Sequence, residues 1–181
     1  MSEPRYFSVP APDYRKVALM FALVLATIGV ALVLVLRDGS AARAWPHLLL
    51  GALVSIALLA WVVGRRRVTL EGDTLRIAAG LNSTRVAVSA LDLDQARIVR
   101  LDEHPEYRPG TKTFGSAMPG YQAGHFRQGG GRKVFVLLTE RDRVLVLPER
   151  DGRLLLLSLD HPQSLLDALQ RAAGPGPRRI G

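Results

Sequence analysis

The chain contains two long apolar runs, residues 17–36 and 47–64, joined by a short polar loop. The first run has 20 residues without a charge, and a helix of that length is about 30 Å long, which matches the hydrocarbon core of a bilayer. The second run is uncharged after His47, and Trp45 and Trp61 lie near its ends, where aromatic rings favour the membrane interface. We therefore expect a two-helix transmembrane hairpin.

Basic residues flank these runs on both outer sides. Three precede the first run, three follow the second and two lie between them: Arg5, Arg15 and Lys16; Arg65, Arg66 and Arg67; Arg37 and Arg43. Since positive charge is retained in the cytoplasm, we expect a multi-pass protein of the bacterial inner membrane with both termini cytoplasmic. Arg65, Arg66 and Arg67 would then lie at the membrane surface. A cleaved signal peptide is the alternative for the first run, although its apolar core exceeds the usual signal length.

Length and composition divide the chain into four segments. We expect disordered tails at residues 1–16 and 174–181, the hairpin at 17–64 and one cytoplasmic domain at 65–173.

The sequence has no cysteine, which excludes disulfides, thiolate chemistry and cysteine-ligated zinc. The net charge is +8. Because the basic residues are spread out and mixed with acidic ones, we expect membrane lipids as partners and no nucleic acid.

Beyond residue 67 the hydrophobic pattern changes to period two, which is typical of strands. Alternation on both sides of Gly72-Asp73 predicts a β-hairpin, followed by strands at 85–88 and 95–101. Residues 102–131 look irregular except for a short strand at 121–126. Three apolar runs at 133–138, 143–147 and 153–158 predict an antiparallel meander. A helix follows, with Asp160 as its cap and Pro162 in its first turn.

The residues at these turns resemble those of a known family. They are Phe114-Gly115, Pro119-Gly120-Tyr121, Gly124, Phe126, Arg132-Lys133-Val134, the Leu138–Val144 turn, and Leu157-Ser158, Asp160 and Pro162. Together they resemble the bacterial PH-like (pleckstrin-homology-like) domains of membrane-anchored proteins, over about residues 68–172. The resemblance implies an α+β protein with an antiparallel β-sandwich or barrel closed by a C-terminal helix. It implies attachment to a membrane, and no catalytic residues or cofactor.

Five cationic residues gather around the irregular stretch: Arg108, Lys112, Arg127, Arg132 and Lys133. Close to an anionic leaflet each cation contributes about 1 kcal/mol of attraction, so they are the candidate ligand-binding residues. A solvated strand edge is the competing interpretation. His104 and His125 fall in the same stretch but lack metal-ligand spacing, so we expect no metal. No serine lies in a nucleophile motif either.

We therefore expect a non-enzymatic membrane protein. Its PH-like domain would bind a protein partner or anionic lipid headgroups at the membrane surface. An accessory or scaffold subunit of a membrane enzyme or transport complex is the alternative. A hydrolase or metal enzyme built on the irregular stretch is a third, weaker hypothesis. The identity of the partner and the oligomeric state are left open by the sequence.

Overall fold

The computed structural model describes residues 4–37 and 45–174. Its helices are α1 (Tyr14–Arg37), α2 (Trp45–Gly64) and α3 (Pro162–Ala172). The strands are β1 (Arg5–Phe7), β2 (Arg66–Glu71), β3 (Thr74–Ala79), β4 (Asn82–Ala87), β5 (Arg97–Val99), β6 (Thr111–Met118), β7 (Tyr121–Arg127), β8 (Lys133–Leu138), β9 (Val144–Pro148) and β10 (Leu154–Ser158).

The strands form two sheets, of four strands in the order β1-β2-β3-β4 and six in the order β5-β9-β10-β8-β7-β6. In the described part of the chain neither sheet closes on itself. The predicted fold class, an antiparallel sandwich or barrel behind a two-helix transmembrane hairpin, is wrong, because neither sheet closes into a barrel, β8 and β10 pair in parallel, and only one described helix is a candidate span. The fold is α+β with two open sheets. The predicted first hairpin is present as β2 and β3, and Gly72 supplies the positive φ of 59° that its turn requires.

The last three strands are present but do not form a meander. β10 pairs in parallel with β8 and antiparallel with β9, so β10 lies between strands that precede it in the chain. Residues 134–138, 144–147 and 154–158 are buried without interruption, which shows that these three strands are central in the fold. Central strands covered on both faces show unbroken apolar runs in place of alternation.

The six-stranded sheet is covered on both faces. One face, including Tyr121, Phe135 and Leu155, packs against the four-stranded sheet and against Leu165 and Leu169 of α3. The other face, including Phe126, Val134 and Leu156, packs against Leu101 and the partly buried Tyr107. Helix α3 is confirmed, but residue His161 occupies its N-cap, not Asp160, and makes no side-chain capping hydrogen bond.

The stretch predicted to be irregular contains a complete β-hairpin. β6 and β7 pair from Thr111 and Arg127 to Met118 and Tyr121, and a bulge lies between Lys112 and Phe114. Only the second of these strands was expected. Gly115 and Gly124 face each other in the ladder with φ of 144° and 118°, values that L residues rarely adopt. The glycines that made this segment look like a loop are the residues that let the two backbones pair.

The expected pair of membrane spans is not supported. Within the described residues only α1 is long and apolar enough to cross a membrane, over Val17–Leu34 with mean hydropathy 2.8. The apolar part of α2, Leu49–Gly64, is shorter, about 24 Å against the ~30 Å of a hydrocarbon core. The last turn of α2 also packs against the domain, because Val62 and Val63 are buried and Val63 belongs to the domain core.

The N-terminal segment is not wholly disordered as predicted, because Arg5–Phe7 forms β1 and pairs with β2. Because β1 leads toward α1 and α2 leads into β2, this pairing places the start of α1 and the end of α2 at the same end of the four-stranded sheet. Most of the large exposed apolar side chains that the structure describes lie on these two helices, Leu19, Leu23 and Leu53 among them. Residues 38–44, which make up most of the predicted loop between the spans 17–36 and 47–64, and most of the predicted C-terminal tail lie outside the described residues.

Candidate anion-binding cleft

A cleft of about 690 Å³ lies where β6, β7 and β8 meet the turn between β9 and β10. His125 and Arg127 of β7, Lys133 and Phe135 of β8, and Phe114 of β6 line it. In the β7–β8 ladder His125 pairs with Phe135 and Arg127 with Lys133. Paired residues project from the same face of a sheet. The side chains of His125 and Phe135 therefore form the floor of the cleft, and those of Arg127 and Lys133 lie at its rim.

Three cations predicted from the sequence meet at this cleft. Arg127 and Lys133 are exposed neighbours in the ladder, and Arg132 precedes Lys133. The Arg132 Nε donates a hydrogen bond of 3.1 Å to the carbonyl oxygen of Gly152, which ties the β7–β8 turn to the β9–β10 turn. No acidic partner within salt-bridge distance is present for these three in the described residues, so their charges are available to a bound anion.

The two acidic residues of the cleft both pair with Arg153. Arg153 contacts Glu149 at 2.8 Å and Asp151 at 2.6 Å. Glu149 is buried, and desolvation raises its pKa, although Arg153 opposes the shift. The pKa of Asp151 is lowered by hydrogen bonds from the backbone and side chain of Arg153. With His125 neutral, the four cations that line the cleft (Arg127, Arg132, Lys133 and Arg153) exceed its two carboxylates by two positive charges.

His125 forms part of the floor of the cleft. Its ring packs edge-on against Phe135 with ring centroids 5.0 Å apart. Burial lowers the pKa of His125, and the charge of Arg153 lowers it further. The imidazole is therefore neutral at pH 7. An anion that enters the cleft would favour its protonated form.

The other two predicted cations lie outside the cleft. Arg108 fastens its own loop, donating to the carbonyl oxygens of Leu101 at 3.1 Å and Asp102 at 3.0 Å. Lys112 is exposed on β6 beside the bulge and pairs in register with Phe126. Arg108 is thus better explained by loop structure, whereas Lys112 belongs to the strand that borders the cleft.

Phe114 and Arg153 were not predicted as site residues. Phe114 lies on β6, a strand that was not expected, and Arg153 lies in the turn before β10. One sequence signal was available. Residues 107–139 contain five lysines and arginines and no aspartate or glutamate. This acid-free stretch forms β6, β7 and β8, so the fold places a long-range charge asymmetry on one side of the six-stranded sheet.

The cleft lies far from the base of the helices. At one end of β7 the Tyr121 hydroxyl is 3.3 Å from the Val62 carbonyl oxygen of α2. Arg127 is at the other end of the strand, six residues later, which corresponds to roughly 20 Å. The structure therefore places Arg127, Arg132 and Lys133 at the end of β7 opposite the base of α2.

Arg65, Arg66 and Arg67 all have contacts within the chain. Arg65 lies over the ring of Trp61 at 5.4 Å, and Arg67 over that of Tyr6 at 5.9 Å. Arg66 donates to the carbonyl oxygen of Val63 at 3.1 Å. This last bond caps the C-terminal end of α2, where helix carbonyls lack partners.

The histidines considered as metal ligands are not brought together. His104 pairs with Glu106 at 2.9 Å in the loop before β6, whereas His125 lies in the cleft. Within residues 4–37 and 45–174 no group of three or more acidic or histidine side chains is arranged to hold a metal ion.

Comparisons with known proteins give no relative. No family model, no curated protein and no solved structure matches this chain.

Proposed function

We propose that this is a non-enzymatic binding protein associated with a membrane through α1, and that its cleft binds an anionic group presented by a partner. The observation that carries the proposal is the convergence of Arg127, Arg132 and Lys133 on one cleft within an acid-free segment. Unpaired cations on a shaped apolar floor are suited to carboxylate or phosphate binding.

The membrane part of the proposal is supported by α1 itself. The window Val17–Leu34 is only 6% buried within the protein, so its apolar surface requires another cover, and lipid is the simplest. A signal sequence near the N-terminus is the alternative, since it too can form an apolar helix, although this run is longer than the usual signal core. The pairing of β1 supports retention of α1 in the mature protein, because β1 precedes α1 and is hydrogen-bonded to β2 in the four-stranded sheet. The PH-like resemblance, which likewise suggests a membrane, remains a proposal.

The geometry favours a protein partner over a lipid of the same membrane. The helices join the domain near Tyr121, whereas the cleft opens at the opposite end of β7. An anionic group that reaches the cleft would therefore come from the side away from α1. Acidic side chains of a protein satisfy this condition without any bending of the bilayer.

The test is a charge reversal on the full chain in mild detergent. Arg127→Glu, Arg132→Glu and Lys133→Glu are combined, and the matched control combines Arg97→Glu, Arg143→Glu and Arg171→Glu, three exposed cations outside the cleft. The probes are an eight-residue peptide that alternates glutamate with valine, and glycerol phosphate as a soluble lipid headgroup.

We expect the peptide to bind the natural protein and the control alike. The cleft variant should lose at least about tenfold in affinity, equivalent to 1.4 kcal/mol. Equal binding by the cleft variant and the control would end the proposal. Binding of glycerol phosphate without the peptide would replace the protein partner by a lipid headgroup.

A second candidate function is an accessory subunit within a membrane assembly. The observation that favours it is that α2 also exposes large apolar side chains, including Leu50, Leu53 and Leu58. Gly29 and Gly51 have open space around them, so photocrosslinkers fit there. A single dominant crosslinked protein in the native membrane would favour this candidate, and crosslinks to lipid alone would exclude it.

A further inference from the structure

The outer edge of β6 borders the basic cleft and is unpaired. β6 ends the six-stranded sheet, and its only neighbour in the described part of the chain is β7. An edge strand presents backbone N–H and C=O groups that pair readily with another extended segment. From this edge and the cleft beside it we propose that the partner binds as an extended acidic peptide segment, which adds a strand to β6. This inference rests on the proposed function and deepens it.

The free edge has a defined length and register. The bulge between Lys112 and Phe114 leaves residues 114–118 as the regular part of β6, about 17 Å long. Met118 and Tyr121 flank a two-residue turn, which makes them a hydrogen-bonded pair. Because such pairs alternate along an antiparallel ladder, the N–H and C=O groups of Gly115 and Ala117 point to the free edge.

The features that block strand addition are sparse here. β6 contains no proline and no acidic residue, and its single charge, Lys112, lies beyond the bulge. Edge strands that must stay unpaired usually carry such residues along their length. Phe114, which is 63% exposed, lies on the cleft side of β6 and offers an apolar contact to a side chain of the added strand.

The charges around the edge specify an acidic segment. An added strand would lie two strand spacings, about 10 Å, from β7, within reach of the long side chain of Arg127. Lys112 flanks the same edge, and neither β6 nor β7 contributes a carboxylate. Backbone pairing would supply affinity, and alternate acidic side chains would supply specificity. Along β6 and β7 a basic segment would meet only like charge.

The test removes the backbone donor on the free edge without touching the ladder to β7. Ala117→Pro deletes an outward N–H, and proline is tolerated on edge strands where the N–H faces solvent. Binding of the alternating glutamate–valine peptide is measured on the full chain, with circular dichroism to verify folding. In a second arm the natural protein is given the same peptide N-methylated at every second residue, which needs no variant.

We expect Ala117→Pro and N-methylation each to weaken binding at least tenfold, and a basic peptide that alternates lysine with valine not to bind. Unchanged affinity in both arms, together with loss of binding in the cleft charge reversal, would overturn strand addition and leave the proposed function intact. If neither the charge reversal nor these changes weakens binding, the proposed function fails as well.

Discussion

The hydroxyl of Tyr121 and the carbonyl oxygen of Val62 lie 3.3 Å apart, although 59 residues separate them in the chain. This contact attaches the last turn of α2 to the start of β7, next to Gly80, whose backbone is close to the Val62 side chain. It defines the end of the domain from which the helices depart. The basic cleft lies at the opposite end of β7 from this contact.

Replacing Tyr121 with phenylalanine should destabilise the protein by about 1 kcal/mol, because the buried carbonyl loses its donor. Burial raises the pKa of Tyr121 to about 12. The unfolded chain ionises first, so this residue's contribution to stability is present below pH ~10 and lost as the pH rises toward 12. Chemical denaturation between pH 7 and 11 should show a weaker alkaline loss in Tyr121→Phe. Equal slopes for the two proteins would contradict this assignment.

Gly124 should not tolerate a side chain. A Cβ at this position would collide with the carbonyl oxygen of Phe114 and lie 2.7 Å from the Asn82 Nδ2, and φ is +118°. We expect Gly124→Ala to cost more than about 2 kcal/mol, since strain and overpacking add. Gly129→Ala is the control, because it has open space and no positive φ. Thermal unfolding of both variants decides the matter, and similar melting temperatures would refute close packing between β4 and β7.

Arg153 should be required for stability, because Glu149 is buried beside it. Arg153→Met leaves that carboxylate without its 2.8 Å partner, and we expect a loss of about 2 kcal/mol in the free energy of unfolding. The double variant Glu149→Gln and Arg153→Met should recover part of this loss, because no charge is then left buried. A double variant that is less stable than Arg153→Met would show that the ion pair is not the reason.

His125 should make stability depend on pH. Its pKa is lowered by burial and by Arg153, so the unfolded chain takes up the proton first and stability falls as the pH drops through about 6.5. The melting temperature of the natural protein should therefore fall more between pH 7.5 and pH 5.5 than that of His125→Asn. Parallel curves would place the histidine outside the cleft floor.

α1 should be retained in the mature protein, because cleavage after it would also remove β1 from the sheet. The intact mass of the protein purified from membranes is the measurement. We expect a species that includes residues 5–7. A species that begins after α1 would identify the first run as a signal sequence and would remove the membrane part of the proposal.

Patterns local in sequence predicted much of this fold, and pairings distant in sequence were not predictable. Alternation around Gly72 and the amphipathic pattern after Pro162 each describe one element, so the β2–β3 hairpin and α3 were foreseen. The parallel neighbour of β10 depends on which of several equally apolar strands lies beside it, and Leu154–Ser158 carries no cue for that choice. β6 was missed because its glycines also fit a loop.

The site was half predictable for the same reason. Charge clustering found Arg127, Arg132 and Lys133, which are close in the chain and remain close in the structure. The fastening of Arg108 to its own loop, and the pairing of Arg153 with Glu149, depend on side-chain geometry that composition does not contain. The distance between the cleft and α2 could not be predicted, because it depends on the direction in which β7 runs.

We propose that the basic cleft faces away from the membrane that would hold α1, and one measurement tests this proposal most directly. The chain has no cysteine, so Leu81→Cys, beside the base of α2, and Gly129→Cys, beyond the cleft end of β7, each give one labelling site. Energy transfer from a fluorophore at each site to rhodamine-labelled headgroups is measured in reconstituted phosphatidylcholine vesicles. We predict strong transfer from residue 81 and much weaker transfer from residue 129, and equal transfer from both sites would contradict the account.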